Sequence, residues 1–340
     1  PRGWYLVAWA DELAPGDVKA VRYFGRDLVL FRTEGGQARL ADAHCPHLGA
    51  HLGHGGAVVG ERIRCPFHKW EYESEGGRCA AIPFTDRVHP KAGLQMWHVH
   101  EEAGMILAWW HEEGAAPTWD FPGYEVLDDR EWTAPTEVGW EIRAHVYDIT
   151  ENDVDKAHMP AVHDFTTRLP DTEAEVDGPL MHVVMHTEVT LSTFGRKGTI
   201  HAPAHTTKVG MGLLLVKQTI DSGRVPIDFR TIGTFTPIDA DHVHIRARHR
   251  VRRVRVPFMT AMLQKNYSDT FKETVEQDIP IWENKIYRAQ PALFVTDGPI
   301  MRFREWSRQF YPGQEAAPGE PAPEDQAPED QAPGKQAAAK

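Results

Sequence analysis

Two short segments constrain this chain more than anything else in it: Cys45-Pro-His47 and, after seventeen intervening residues, Cys65-Pro-Phe-His68. Each supplies one thiolate and one imidazole. A mononuclear zinc site also uses two of each, but zinc loops usually place both cysteines in one half and both histidines in the other. Here the two kinds are mixed in each half. That suits a 2Fe-2S cluster with two thiolates on one iron and two neutral imidazoles on the other. Backbone amides must approach the sulfurs of such a cluster, and Gly49, Gly53, Gly55, Gly56 and Pro66 place loop-forming residues beside the ligands. His44, His51 and His54 flank the pairs without keeping the spacing, so they are read as groups around the ligands.

The remaining inventory favours metal chemistry over cross-linking. Cys79 is the one cysteine outside the motif, so a disulfide framework is implausible and Cys79 is read as a structural thiol. The formal net charge is -12, and no stretch interleaves clustered Lys and Arg with aromatics, which argues against nucleic acid or an anionic membrane surface as partner. The longest apolar runs, Met105 to Trp110 and Met211 to Val216, fall far short of the roughly 20 residues that cross a bilayer. No secretory pattern opens the sequence, so a cytoplasmic location is the expectation. No G-x-G-x-x-G follows a strand and opens a helix, which assigns pyridine-nucleotide oxidation to a separate protein.

Apolar residues make up 41% of the chain, enough for two ordinary cores. Residues 1–115 alternate short apolar segments with Gly and Asp turns, as at Trp4 to Trp9, Leu28 to Arg32 and Gly104 to Trp110, and read as a small all-β domain. The Pro- and Gly-rich stretch Ala115 to Gly123 ends that pattern. A second domain, 116–312, shows strand patterns at Trp140 to Tyr147, His182 to Ser192, Gly198 to His201, Lys208 to Ile220, Asp228 to Phe235 and His242 to Val251. Phe258, Met262, Leu263, Tyr267, Phe271 and Val275 then recur at three to five residues, the stripe of an amphipathic helix packed on the sheet. The fold class expected is α+β, with an antiparallel catalytic sheet and helices packed on it in the helix-grip manner. Residues 313–340 repeat Ala322 to Gln326 as Ala327 to Gln331 and read as a disordered tail.

A second constellation lies in Glu151-Asn-Asp-Val-Asp155-Lys-Ala-His158-Met-Pro-Ala-Val-His163. Two histidines and a carboxylate can hold ferrous iron with open positions. On an ideal helix His158 and His163 would point about 140° apart. The segment is helix-compatible from Ile149 to Val162, and Pro160 is expected to break it and turn His163 back. Asp155 and His158 share a face, where a carboxylate can accept the imidazole N–H. Asn152 sits one turn earlier, near the iron or at a helix start.

Residues 4 to about 112 resemble the Rieske domain of ring-hydroxylating and steroid-acting oxygenases. Respiratory Rieske proteins are less similar, because Ala50 and Phe67 stand where those carry extra cysteines. Through Tyr23-Phe-Gly-Arg-Asp-Leu-Val-Leu-Phe31, Cys45-Pro-His-Leu-Gly-Ala-His-Leu-Gly53 and Glu276-Gln-Asp278-Ile-Pro-Ile-Trp282-Glu-Asn-Lys285, the chain resembles 3-ketosteroid 9α-hydroxylase oxygenases and sterol 7-desaturases. The resemblance implies His158 and His163 as iron ligands and Asp278, following the amphipathic helix, as the third. Asp269, Glu273 and Glu276 remain rivals. It also implies that Asp155 joins His158 to the cluster ligand His68 of a neighbouring copy in a head-to-tail homotrimer.

The function implied is a terminal oxygenase with a 2Fe-2S cluster, a mononuclear Fe(II) and dioxygen as co-substrate. Electrons would come from an NAD(P)H-dependent reductase or a ferredoxin. The substrate implied is bulky and apolar, a steroid or sterol hydroxylated or desaturated at a C–H bond. Met211, Leu213 and Phe229 are candidate pocket residues, although core packing suits each. The alternatives are an aromatic monooxygenase or O-demethylase and, from another class, an electron-transfer protein whose second domain only binds partners.

Overall fold

The computed structural model describes residues 1–125, 127–163, 169–193, 196–221 and 226–313. Its N-terminal part is built from three small antiparallel sheets. The strand Arg26–Arg32 shows how they are joined, since its apolar run is buried on both faces. Leu28 and Leu30 pack with Tyr5, Phe24 and Ile106, whereas Val29 and Phe31 pack with Cys45, Cys65 and Tyr72. Successive side chains of a strand point to opposite faces, so one strand ties the domain core to the floor of the Cys/His loops.

The second part is one antiparallel sheet of seven strands, in the order Thr136–Ile142, Val243–Val251, Pro226–Pro237, Leu213–Asp221, Arg196–Val209, Leu180–Thr193 and Asp171–Asp177. The run Lys208 to Ile220, read from sequence as one strand, is two strands joined at Gly210-Met211-Gly212, where Gly210 adopts φ +55°. The edge strand Asp171–Asp177, not read from the sequence, alternates Thr172, Ala174 and Val176 with exposed acidic residues. Charge of that kind protects a sheet edge from further pairing.

The two parts share a core. Trp4, Leu6, Trp9, Leu107 and Trp109 pack against Val209, Leu213 and Leu215, and the Thr236 hydroxyl donates to the Leu6 carbonyl at 2.7 Å. Leu213 therefore faces the cluster domain, and Met211 is packed in the core beside the C-terminal helix. Phe229 stacks on Tyr267 with ring centroids 4.2 Å apart.

Among the described residues four α-helices accompany the sheet: α1 (Val146–Asn152), α2 (His158–Val162), α3 (Pro257–Trp282) and α4 (Ile300–Ser307). Contrary to the expected stripe, Phe258 and Met262 are 73% and 49% exposed, and α3 packs on the sheet further along, at Tyr267, Phe271 and Val275. Asp278 lies inside α3, not beyond it. Pro280 removes only the hydrogen bond to the Glu276 carbonyl, one turn from the end, so the helix runs on to Trp282. No helix of the described residues is long and apolar enough to cross a membrane. Beyond Gly313 the expected acidic tail lies outside the described residues.

Candidate metal centres

The first site is made by two loops that follow the strands Ala38–Asp42 and Arg62–Arg64. In one, the Cys45 N–H donates to Ala50 O and the Gly49 N–H to Cys45 O, both at 2.9 Å; in the other, the Cys65 N–H donates to Trp70 O at 2.8 Å. Gly49 sits at φ +76°, which allows the first loop to close without strain. Both thiols are buried and in mutual contact, and the Tyr72 hydroxyl lies 3.0 Å from Cys45 Sγ. Burial, and then the neighbouring Cys45, push the Tyr72 phenol well up, so it remains protonated and donates to sulfur.

The two imidazoles meet edge to face at 4.6 Å, and His47 lies flat on Trp70 at 4.3 Å. His47 Nδ1 is buried with no hydrogen-bond partner. A buried imidazole nitrogen without a partner is costly, and coordination to a metal would relieve it. The four side chains thus fit a two-iron cluster. Leu48 and Phe67, 66% and 61% exposed, flank the ligands at the surface. Neither Tyr72 nor Trp70 was singled out from the sequence as acting on the ligands, although Trp70 stands in the motif itself.

The second site joins the α1–α2 segment to α3. One ligand atom from each of His158, His163 and Asp278 lies within 4.8 Å of the others. The rings of His158 and His163 are nearly perpendicular with centroids 5.3 Å apart, and His163 Nε2 is 3.5 Å from Asp278 Oδ2. His163 and Asp278 are 1% and 5% exposed. Asp269, Glu273 and Glu276 are exposed on α3 and lie outside this group.

The convergence arises differently from the expectation. Pro160 does not break the helix, because it is the third residue of α2, where a backbone N–H has no intrahelical acceptor to lose. The helix ends after Val162, and His163 leaves it in an extended conformation, φ −111° and ψ +125°. The Asp155 carboxylate does not accept the imidazole N–H. It receives the Ala157 and His158 N–H groups at 2.9 and 3.2 Å, while its main-chain carbonyl accepts from His158 Nδ1. Gln277 Oε1 lies 2.8 Å from His163 Nδ1 and fixes that ring in the same sense. With both Nδ1 atoms tethered to oxygens, the Nε2 lone pairs are directed to the common point.

Asn152 touches two members of the group, its Nδ2 lying 3.2 Å from His158 Nε2 and 3.3 Å from Asp278 Oδ2. The turn between α1 and α2 is secured from the sheet. Lys208, 1% exposed on the strand Arg196–Val209, donates to Thr150 O at 2.9 Å and pairs with Asp153. From the other side the Lys156 N–H donates to Asp297 O at 3.3 Å. Sequence reading missed Gln277, Lys208 and Asp153. The usable signal was a lysine inside a strand pattern, since an interior lysine requires a buried acceptor. A carboxylate and two imidazoles are the donor set of a ferrous facial triad, and the residues present fit it.

Both parts of the chain match known protein families. Residues 3–97 match the model of the Rieske [2Fe-2S] domain, and residues 108–311 match the 3-Ketosteroid 9alpha-hydroxylase C-terminal domain. The fold is that of a Rieske-type oxidoreductase. The chain belongs to the family of Rieske oxygenases that carry the 3-ketosteroid 9alpha-hydroxylase C-terminal domain.

It is 31% identical over 337 residues to the cholesterol 7-desaturase nvd of Bombyx mori, covering 92% of this chain and 69% of that protein. It is 28% identical over 321 residues to the oxygenase component of 3-ketosteroid-9-alpha-monooxygenase from Rhodococcus rhodochrous, covering 91% and 83%. Among solved structures, NdmA of Pseudomonas putida CBB5 with caffeine superposes with a TM-score of 0.70 at 17% identity, covering 90% of this chain and 89% of that one. Dicamba monooxygenase bound to dicamba gives 0.69 at 18%, covering 90% and 96%. These two share the fold.

Proposed function

We propose that the chain is the terminal oxygenase of a multi-component system that hydroxylates or desaturates a C–H bond of a steroid or sterol. The observation that carries this reading is the convergence of His158, His163 and Asp278 from three separate positions in a chain that also has a Rieske domain. A pure electron carrier needs no such group. The relatives named above, one a sterol desaturase and one a ketosteroid monooxygenase, support the substrate class.

His158, His163 and Asp278 would hold a mononuclear iron, which would supply dioxygen activation beside the substrate. The chain's own residues prepare that place. Asp155 O and Gln277 Oε1 set the imidazole tautomers. The Asn152 amide donates to Asp278 Oδ2 and holds the carboxylate in position. Burial of His163 and Asp278 keeps bulk water from the reacting side.

Electrons are supplied by a separate reductase or ferredoxin. In a head-to-tail trimer, Asp155 joins the His68 of a neighbouring copy to His158. The exposed Leu48 and Phe67 beside the cluster, and the exposed Phe294 and Val295 on the segment bonded to the turn of Asp155, are apolar surfaces suited to that contact.

The test is oxygen uptake with product analysis, using a surrogate reductase and a panel of sterols, 3-ketosteroids and aromatic acids. Hydroxylated or desaturated steroid formed in proportion to oxygen consumed is expected. Product from aromatic acids alone would overturn the substrate class.

A further inference from the structure

The sheet face beneath α3 carries a polar group that neither metal centre uses. His249, on the strand Val243–Val251, is fully buried. Its Nδ1 lies 2.9 Å from Thr231 Oγ1, which lies 3.1 Å from the Tyr267 hydroxyl on α3. Its Nε2 is buried with no hydrogen-bond partner. Burial pushes this imidazole down to about 4, so the ring is neutral at ordinary pH. In the tautomer that has Tyr267 donating to Thr231 and Thr231 to Nδ1, Nε2 carries the proton and is a donor without an acceptor. A buried donor left unmade is destabilising, and leucine or phenylalanine would fill the same space without that cost.

The surroundings are aromatic and apolar. Phe271 and Tyr267 of α3 meet the His249 ring edge to face at 4.4 and 5.4 Å, and Phe229 stacks on Tyr267. Tyr267 and Phe271 are only partly buried. Two residues along from His249 and Thr231, on the same sheet face, Ala247 pairs with Gly233. Gly233 has no left-handed φ, and a Cβ there would meet only Leu214, at the ordinary distance of 3.5 Å. Neither backbone conformation nor crowding requires glycine at this position. The pair keeps the sheet surface low beneath the helix.

Along α3, Phe271 at His249 and Asp278 at the iron site are seven residues apart, about 10 Å on the helix axis. We propose that His249 Nε2–H donates to the oxygen at the far end of a fused-ring substrate, whose rings lie over Gly233 and Ala247 and whose reacting carbon sits at the triad. A polycyclic skeleton of sterol size spans that interval. The inference rests on the steroid reading above and adds the group that sets which carbon is presented.

Binding to the full, metal-loaded chain tests it without turnover. Cholesterol and progesterone, each against its analogue lacking the C3 oxygen, are titrated from cyclodextrin and followed by tryptophan fluorescence. The wild type is expected to prefer the oxygenated ligand about tenfold, the value of one buried hydrogen bond. His249→Leu, which leaves the Thr231–Tyr267 bond in place, is expected to bind both ligands alike, with unchanged iron content and an undiminished Tm. His249→Gln is expected to recover part of the preference, and Gly233→Val to weaken both ligands.

A wild type without preference, or a preference that survives in His249→Leu, overturns the subsite and leaves the steroid reading intact. Loss of iron and a lowered Tm in His249→Leu would make the residue structural and overturn the subsite in the same way. A wild type that binds no steroid at all removes the steroid reading and the subsite together.

Discussion

The two metal centres are built on opposite plans. The cluster site is local, with all four ligands between Cys45 and His68 on two loops that strands of one domain place side by side. The iron site is assembled over distance: 114 residues separate His163 from the Gln277 that orients it, and the sheet lysine that secures the turn comes from a third segment. A local site depends on loop conformation, whereas an assembled one depends on the packing of the whole domain. The cluster should therefore tolerate damage to the second domain, and the iron site should not.

Reciprocal ligand removal gives the largest effect. Cys45→Ser is expected to abolish the visible absorption of the cluster while leaving metal binding at the triad, and His158→Ala to do the reverse, with turnover at background in both. Parallel loss of both centres in either variant would show that the sites are not independent. Lys208→Met leaves Asp153 without its partner and breaks a buried ion pair. Such losses cost about 3–5 kcal/mol, and Asp153 is partly exposed, so the lower end is expected in denaturant unfolding. Cluster absorption should persist at denaturant concentrations where metal has already left the triad.

Gln277→Leu is a gentler test. Removing the acceptor that orients a ligand histidine is expected to weaken ferrous or cobaltous binding about 10–100-fold without moving the cluster potential. On the other side of the comparison, Tyr72→Phe removes a hydrogen bond to Cys45 Sγ. The potential should fall, because the donor stabilises the more negative reduced cluster, and metal affinity at the triad should not change. An unaltered potential, read by spectroelectrochemistry, would remove Tyr72 from the account.

The same contrast governs what could be read in advance. Cys45, His47, Cys65 and His68 announce themselves by spacing because loop ligands close in sequence are also close in space. Asp278 required a resemblance, since nothing in the periodicity of α3 distinguishes it from Asp269, Glu273 or Glu276. Burial does, and burial is a property of the assembled domain. The turn of His163 toward the metal was read as a proline effect but comes from the end of α2, because a proline in a first turn breaks nothing. Likewise the apolar stripe of α3 was read from Phe258 and Met262, ahead of where the helix packs. Periodicity identifies a helix and a face, and only packing shows where contact begins.

The central claim is that one chain holds both an electron-transfer cluster and a separate iron. Iron and acid-labile sulfide analysis of the purified protein tests it most directly, with cluster absorption measured on the same sample. About three irons and two sulfides per chain are expected, falling to about two irons in His158→Ala with the sulfide unchanged. Two irons in the fully loaded wild type, after anaerobic incubation with ferrous ion, would contradict the account.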